Sequence, residues 1–258
     1  MRPLLTLLLG SLLLTQAADA QIRDLDAKKD RKVKSVRSGD PKPFTLKWNP
    51  GSLAFGKVSL HTEYNLKRKK SLTLGIGIPV SSTFKRTISG DDIDMTNKTM
   101  SAQAGYRMYL GKKTMTGFYF EPYLKYVNFK GFGRYDDKEI VDRDIYETNI
   151  TYSGGGLGAQ LGVQFMIART IVFDLFLLGP EANIGKIDAS FRDVQSPLPW
   201  TQVEENDARR EIENVLEDIP VIGKKTEVTV NKNQRTVNAK YDGFVPGFRF
   251  GLSVGVHF

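Results

Sequence analysis

Phe248-Arg249-Phe250-Gly251-Leu252-Ser253-Val254-Gly255-Val256-His257-Phe258 carries an apolar side chain at every second position. Between them sit Arg249, Gly251, Ser253, Gly255 and His257. A helix would scatter the even-numbered set around its surface, whereas a strand puts it on one face, because successive Cβ atoms point to opposite sides. The pattern recurs upstream. Leu72, Leu74, Ile76, Ile78 and Val80 alternate with Ser71, Thr73, Gly75, Gly77 and Pro79, and Leu157, Ala159, Leu161, Val163 and Phe165 alternate with Gly158, Gln160, Gly162 and Gln164. Weaker copies cover Val58 to Leu66, Met100 to Leu110, Phe118 to Tyr126 and Ile171 to Gly179, and Phe44, Leu46 and Trp48 share a face of an opening strand, giving eight in all.

One face of these strands is aliphatic and aromatic, and the other is rich in glycine, glutamine, serine and isolated charges. A soluble barrel packs its bulky apolar residues inward; a barrel in lipid turns them outward around a polar interior. Strands of about ten residues, tilted near 45°, cross a hydrocarbon layer, and closure satisfies every backbone group there. The pattern therefore predicts an all-β fold, an eight-stranded antiparallel transmembrane up-and-down β-barrel over residues 42–258. The connections near 66–71, 111–116 and 168–170 are short, and those near 81–97, 130–150 and about 183–241 are long. With both ends of the barrel periplasmic, every short connection falls on the periplasmic side and the long ones fall outside, apart from a tight first outer loop within 49–56.

Residues 1–20 separate from the rest. Arg2 precedes the apolar run from Leu4 to Leu14, and Ala18-Asp19-Ala20 offers a small-residue cleavage site before Gln21. This predicts a secretory signal peptide, followed by a charged periplasmic segment over 21–41 and export to a Gram-negative cell envelope. Cysteine is absent, so neither disulfides nor a lipidated cysteine are expected. The net charge of +8 lies in large part in Lys28 to Lys34 and Lys67 to Lys70, which flank apolar elements. No nucleic-acid partner is expected of an exported chain.

With the strands in place, the alternating run that ends at Phe258 resembles the C-terminal signal read by the outer-membrane assembly machinery, carried by Phe248, Phe250, Leu252, Val254, Val256 and Phe258. Eight strands with one very long outer loop are similar in architecture to OmpA-type and OmpX-type barrels. Leu46-Lys47-Trp48-Asn49-Pro50, Val58-Ser59-Leu60-His61-Thr62-Glu63-Tyr64 and Phe120-Glu121-Pro122-Tyr123-Leu124 resemble a Bacteroidetes-type family of small outer-membrane barrels. The resemblance implies the bacterial cell outer membrane and a fold, with no activity attached.

The polar face projects Lys47, His61, Glu63, Gln103, Arg107, Glu121, Lys125, Gln160, Gln164, Asp174, Arg249 and His257 inward. An eight-stranded barrel is just wide enough for side chains to fill it, and an unpaired ion there costs several kcal/mol. A charge network plugging the interior is expected of Glu63, Arg107, Glu121, Lys125, Asp174 and Arg249; a narrow channel is the alternative. A lipid-modifying enzyme is a third reading, since some outer-membrane barrels act on acyl chains with a histidine, a serine and a carboxylate. Here only His61 and His257 are available and no Gly-x-Ser-x-Gly elbow accompanies them. Neither catalytic residues nor a cofactor are expected. Asp91-Asp92-Ile93-Asp94 and Asp136-Asp137-Lys138-Glu139 lack the calcium-loop pattern and read as solvated loop acids, so no metal is expected.

In the last long loop, Thr201-Gln202-Val203-Glu204 has the form of a capping box. Ala208, Ile212, Val215, Leu216 and Ile219 follow at helical spacing before Pro220. A short amphipathic helix is predicted there, covering the barrel mouth, resting on the membrane or docking to a partner. The expected role is structural or surface-interacting, with outer-membrane lipids, the assembly machinery and an extracellular protein or glycan ligand as partners.

Overall fold

A computed structural model of the protein describes residues 43–67, 69–88, 91–136, 145–217, 219 and 221–258. The expected signal peptide (1–20) and charged segment (21–41) lie outside the described residues, as do Asp137, Lys138 and Glu139 of the second acidic stretch. Ten strands make one antiparallel sheet: β1 (Phe44–Asn49), β2 (Lys57–Lys67), β3 (Lys70–Pro79), β4 (Ser82–Ile88), β5 (Asp91–Tyr109), β6 (Gly117–Asp136), β7 (Ile145–Ile167), β8 (Ile171–Asp193), β9 (Glu227–Asn231) and β10 (Thr236–His257). Among the described residues there is one α-helix, α1, over Gln202–Glu217.

Strands β1, β2, β3, β5, β6, β7, β8 and β10 are successive hydrogen-bonded neighbours, and β10 returns to β1, so these eight close into a ring. The seam pairs Thr45 with His257, Leu46 with Val256, Lys47 with Gly255 and Trp48 with Val254. Closure leaves no open edge along the seam. The eight alternating segments of the sequence are these eight strands. Strand β4 is a hairpin partner for the start of β5, and β9 pairs with the start of β10.

The connections differ from the expectation. Short turns join β2 to β3, β5 to β6 and β7 to β8 at one end, here the turn end. At the far end, the segments near 81–97, 130–150 and 183–241 are not loops throughout. β4 and β5 take up the first, β6 and β7 run on into the second, and β8 continues to Asp193 while β10 resumes at Thr236. Strands β7 and β8 reach 23 residues each against six in β1. A hydrocarbon layer takes only about 9–11 strand residues.

The reason is a reversal of polarity along unbroken strands. On β8, Leu178, Ala182 and Ile184 are exposed on the outer face while Glu181 and Asn183 are buried; further along, Lys186, Asp188 and Arg192 are exposed while Ile187 and Phe191 are buried. Strand β10 reverses at the matching place, with Phe244 exposed beside Ile184, and Asp242 and Lys240 opposite Lys186 and Asp188. Lys186 and Asp242 form an exposed ion pair of 3.1 Å across the strands. Alternation is thus kept to the far end with its sign changed, which is why reading apolar-out strands alone stops too early. A bulge at Leu177-Leu178, both exposed, keeps Asp174 and Glu181 facing inward although they are an odd number of residues apart.

The short β1–β3 side of the wall ends in a 3-10 turn at Pro50–Phe55, which is the tight first outer connection. Gly56 follows with φ 67°, and its carbonyl accepts hydrogen bonds from Val80 N (3.0 Å) and Thr99 N (2.9 Å). A Cβ on Gly56 would lie 2.1 Å from the Asn97 carbonyl oxygen, so this left-handed position also demands an absent side chain. Above that rim the inward side chains are mostly apolar. Tyr135, Ile150, Ile187, Tyr241 and Val245 form one cluster, and Phe191, Trp200, Ile212, Leu216, Ile219 and Val237 form the next.

Candidate functional site

The interior near the turn end is built from alternate residues of the eight ring strands. From the turn end inward, the first layer is apolar. Met115, in the β5–β6 turn, is buried with Tyr109 and Tyr119 beneath the ring, and Gln164 Nε2 donates to its carbonyl at 2.9 Å. Above it stands a cage of five ionisable groups that are almost wholly inaccessible: Lys47, Glu63, Arg107, Glu121 and Asp174.

Lys47 Nζ donates to Glu63 Oε2 (2.9 Å), Gln164 Oε1 (2.8 Å) and Asp174 Oδ2 (2.6 Å), which uses all three ammonium protons. Arg107 donates from Nε to Glu121 Oε2 (2.7 Å) and from Nη1 to Asp174 Oδ2 (2.8 Å), Gln164 Oε1 (2.8 Å) and, at 3.3 Å, Glu63 Oε2. Its guanidinium carbon lies 3.7 Å from the Tyr119 ring centroid, a stacked cation–π arrangement. The remaining carboxylate oxygens are also met: Glu63 Oε1 by the Tyr109 hydroxyl (2.5 Å), Asp174 Oδ1 by the Tyr119 hydroxyl (2.6 Å), and Glu121 Oε1 by the Thr73 hydroxyl (2.6 Å). Gln160 Nε2 adds a second donor to Glu121 Oε2 at 3.1 Å. All six carboxylate oxygens therefore accept at least one hydrogen bond, the condition under which buried charge is tolerated.

A second polar layer lies on the far-end side of the cage. Lys125 pairs with Glu181, whose other oxygen accepts the Tyr123 hydroxyl at 2.7 Å. Arg249 donates to the Gln103 side-chain carbonyl and lies 4.7 Å from the Phe176 ring centroid and 5.4 Å from that of Tyr123. Lys57 Nζ donates to Ser101 Oγ at 3.2 Å. His61 lies beside Gly75, where a Cβ would meet its Nδ1 at 2.6 Å. His257 sits at the seam, its Nδ1 3.1 Å from Thr45 Oγ1.

Of the six residues singled out for an interior network, Glu63, Arg107, Glu121 and Asp174 come together in one cage. Lys125 and Arg249 do not join it; they belong to the second layer, and Arg249 meets an amide oxygen rather than a carboxylate. Lys47, counted among the inward residues but left out of the network, supplies the second cation. Its signal was available, since it sits between Leu46 and Trp48 on the polar face of β1. Glu181 lies beyond the expected strand end at Gly179, and the bulge at Leu177-Leu178 hides its inward direction by shifting the alternation by one residue.

The far end is closed differently. The capping box forms, with Thr201 N donating to Glu204 Oε2 (2.7 Å) and Glu204 N donating to Thr201 Oγ1 (3.3 Å). These bonds hold the Glu204 carboxyl below the usual carboxylate range, the bond from the Thr201 backbone contributing most. Helix α1 then lays Ala208, Ile212 and Leu216 against Trp200, Phe191 and Val237, the inward face of β8 and β10. Trp200 Nε1 donates to Asp193 Oδ2 at 3.3 Å, and Arg235 pairs with the same carboxylate.

The chain is thus an antiparallel all-β ring with an ion-filled interior and an apolar outer band. No protein-family model and no curated protein sequence matches it. Among solved structures it is similar to CarO of Acinetobacter baumannii, at 10% sequence identity and a TM-score of 0.44, over 84% of this chain and 98% of that one.

Proposed function

We propose that the protein is an integral β-barrel of a bacterial outer membrane, with a structural or surface-interacting role and an interior plugged by its own charges. The polarity reversal carries this reading. Around the lower ring, Leu72, Leu74, Ile76 and Ile78 on β3, Leu124 on β6, Leu157 and Phe165 on β7 and Leu252 and Val256 on β10 are exposed, while the facing interior holds buried ions. Contiguous apolar surface of this extent, interrupted only where the strands turn outward-polar, matches a hydrocarbon layer with water beyond it. The turn end then faces the periplasm, and the tall strands with α1 stand outside the cell as a rigid surface for a protein or glycan.

The plug follows from the cage. Breaking it for ion passage means stripping two cations of three carboxylate partners and one amide partner in a low-dielectric interior, so on this reading the barrel is a scaffold rather than a conduit. The test compares Leu74→Arg, at the middle of the band, with Asp188→Arg, just beyond the reversal. An arginine facing the bilayer midplane costs about 2–4 kcal/mol and near zero at the interface. Leu74→Arg is expected to lower the yield of heat-modifiable, carbonate-resistant protein in the outer-membrane fraction severalfold, with Asp188→Arg at the wild-type yield. Equal yields for the two, or release of wild type by carbonate, would sink the reading.

A further inference from the structure

The two polar layers of the interior are not electrically alike. In the cage, Lys47 and Arg107 face three carboxylates, and every carboxylate oxygen is taken. In the second layer the described residues supply three cations, Lys57, Lys125 and Arg249, and one carboxylate, Glu181. That carboxylate is already committed to Lys125 and the Tyr123 hydroxyl. Lys57 and Arg249 are left with neutral acceptors only, the Ser101 hydroxyl and the Gln103 amide oxygen.

Their acceptors, Ser101 and Gln103, are two positions apart on β5 and share its inward face, so the two cations are held over neighbouring inward positions of one strand and repel. Both stay partly open to solvent rather than sealed like Lys47. Glycine clears their surroundings: a Cβ at Gly77 would come within 2.9 Å of Lys57 Cδ, and one at Gly179 within 3.1 Å of Arg249 Cβ. The surplus negative charge of the cage does not cancel the excess, because two cations against three carboxylates below leave one unit, while the layer above is two units positive. A guanidinium beside an ammonium is the pairing that grips a planar or tetrahedral oxyanion with charge-assisted hydrogen bonds.

We propose that Lys57 and Arg249 bind a small oxyanion, a carboxylate or a phosphate group, inside the ring on the far-end side of the cage. The site makes the second polar layer a receptor for small anionic solutes rather than inert filling. It rests on the membrane reading only in that lipid outside the wall sharpens the unbalanced charge. The occupant is free anion, since a lipid headgroup has no way through the wall.

The test uses the full chain folded in detergent micelles free of phospholipid, with folding first verified by heat-modifiable migration. Phosphate at about ten times its dissociation constant, against sodium chloride of matched ionic strength, should raise the unfolding midpoint of wild type by about 3–5 °C. The rise should vanish in Lys57→Gln and Arg249→Gln and persist in Lys186→Gln, which removes an exposed cation outside the ring. Saturable broadening of the phosphate phosphorus resonance by wild type is the arm that decides if either variant does not fold. An equal shift with chloride, an Arg249→Gln protein that responds like wild type, no broadening, or the same stabilisation from phosphatidic acid micelles without phosphate each overturns the site. Failure of the protein to enter membranes would sink the functional reading above and leave this measurement on the folded ring intact.

Discussion

The two halves of β8 have the same backbone and opposite chemistry. Asp174, Glu181 and Asn183 point inward and Leu178, Ala182 and Ile184 outward in the first half; Ile187 and Phe191 point inward and Lys186, Asp188 and Arg192 outward in the second. A strand does not choose which face is buried. The surroundings do: the turn-end half packs its inward side against a sealed ionic cage and turns apolar side chains outward, and the far-end half packs an apolar core inside and turns charged side chains outward. Each half must accordingly be held by a different force, polar satisfaction in one and apolar burial in the other.

The largest effect is expected from opening the cage. Arg107→Met leaves Glu63, Glu121 and Asp174 facing Lys47 alone and should cost about 3–5 kcal/mol, the usual penalty for an uncompensated buried charge. Adding Glu121→Gln should recover part of that loss, because the partner of Arg107 Nε is neutralised as well. Urea unfolding in detergent reads both; strict additivity of the two changes would mean that the cage is a set of independent contacts. The same substitutions should leave amide exchange in α1 unchanged, since the halves are held separately.

The reciprocal change is Ile212→Ala, which empties the centre of the apolar cluster beneath α1. About 2 kcal/mol of helix docking should be lost, the low end for a core isoleucine, because one face of the cluster can relax. Protease cleavage within 202–217 should accelerate while heat-modifiable migration of the ring is kept. Loss of the ring together with the helix would show that the far end is not a separate cooperative layer.

The smallest effect concerns pH. Glu204 has a lowered carboxyl pKa in the folded chain, so its capping contribution is complete above the ordinary carboxylate range and is lost as pH falls through the folded value. Amide exchange in the first turn of α1 should rise on acidification in wild type, and Glu204→Gln should flatten that dependence without moving exchange in β7. An unchanged profile in the variant would assign the cap to Thr201 alone.

Much of this was readable in the chain. Phe248 to Phe258, Ser71 to Val80 and Gly158 to Phe165 declare their two faces without help, and Thr201 to Glu204 declares the helix start. Where the reading stopped, the cause is specific. Leu177-Leu178 breaks the alternation, so the bulge concealed Glu181; and Ile187, Phe191, Val237 and Tyr241 looked like loop residues because their apolar side had changed from outer to inner.

The sequence by itself determined which residues share a face, since alternation of Cβ direction is built into each extended residue and needs no partner. Only the tertiary structure decided which charge meets which. Lys47 reaches Asp174 across 127 positions, and Arg107 reaches Glu121 on the neighbouring strand while Arg249 is carried to Gln103. Those meetings depend on the closure and stagger of eight strands together, and on a single bulge in β8 that shifts everything beyond it by one residue. No window of local sequence contains that sum.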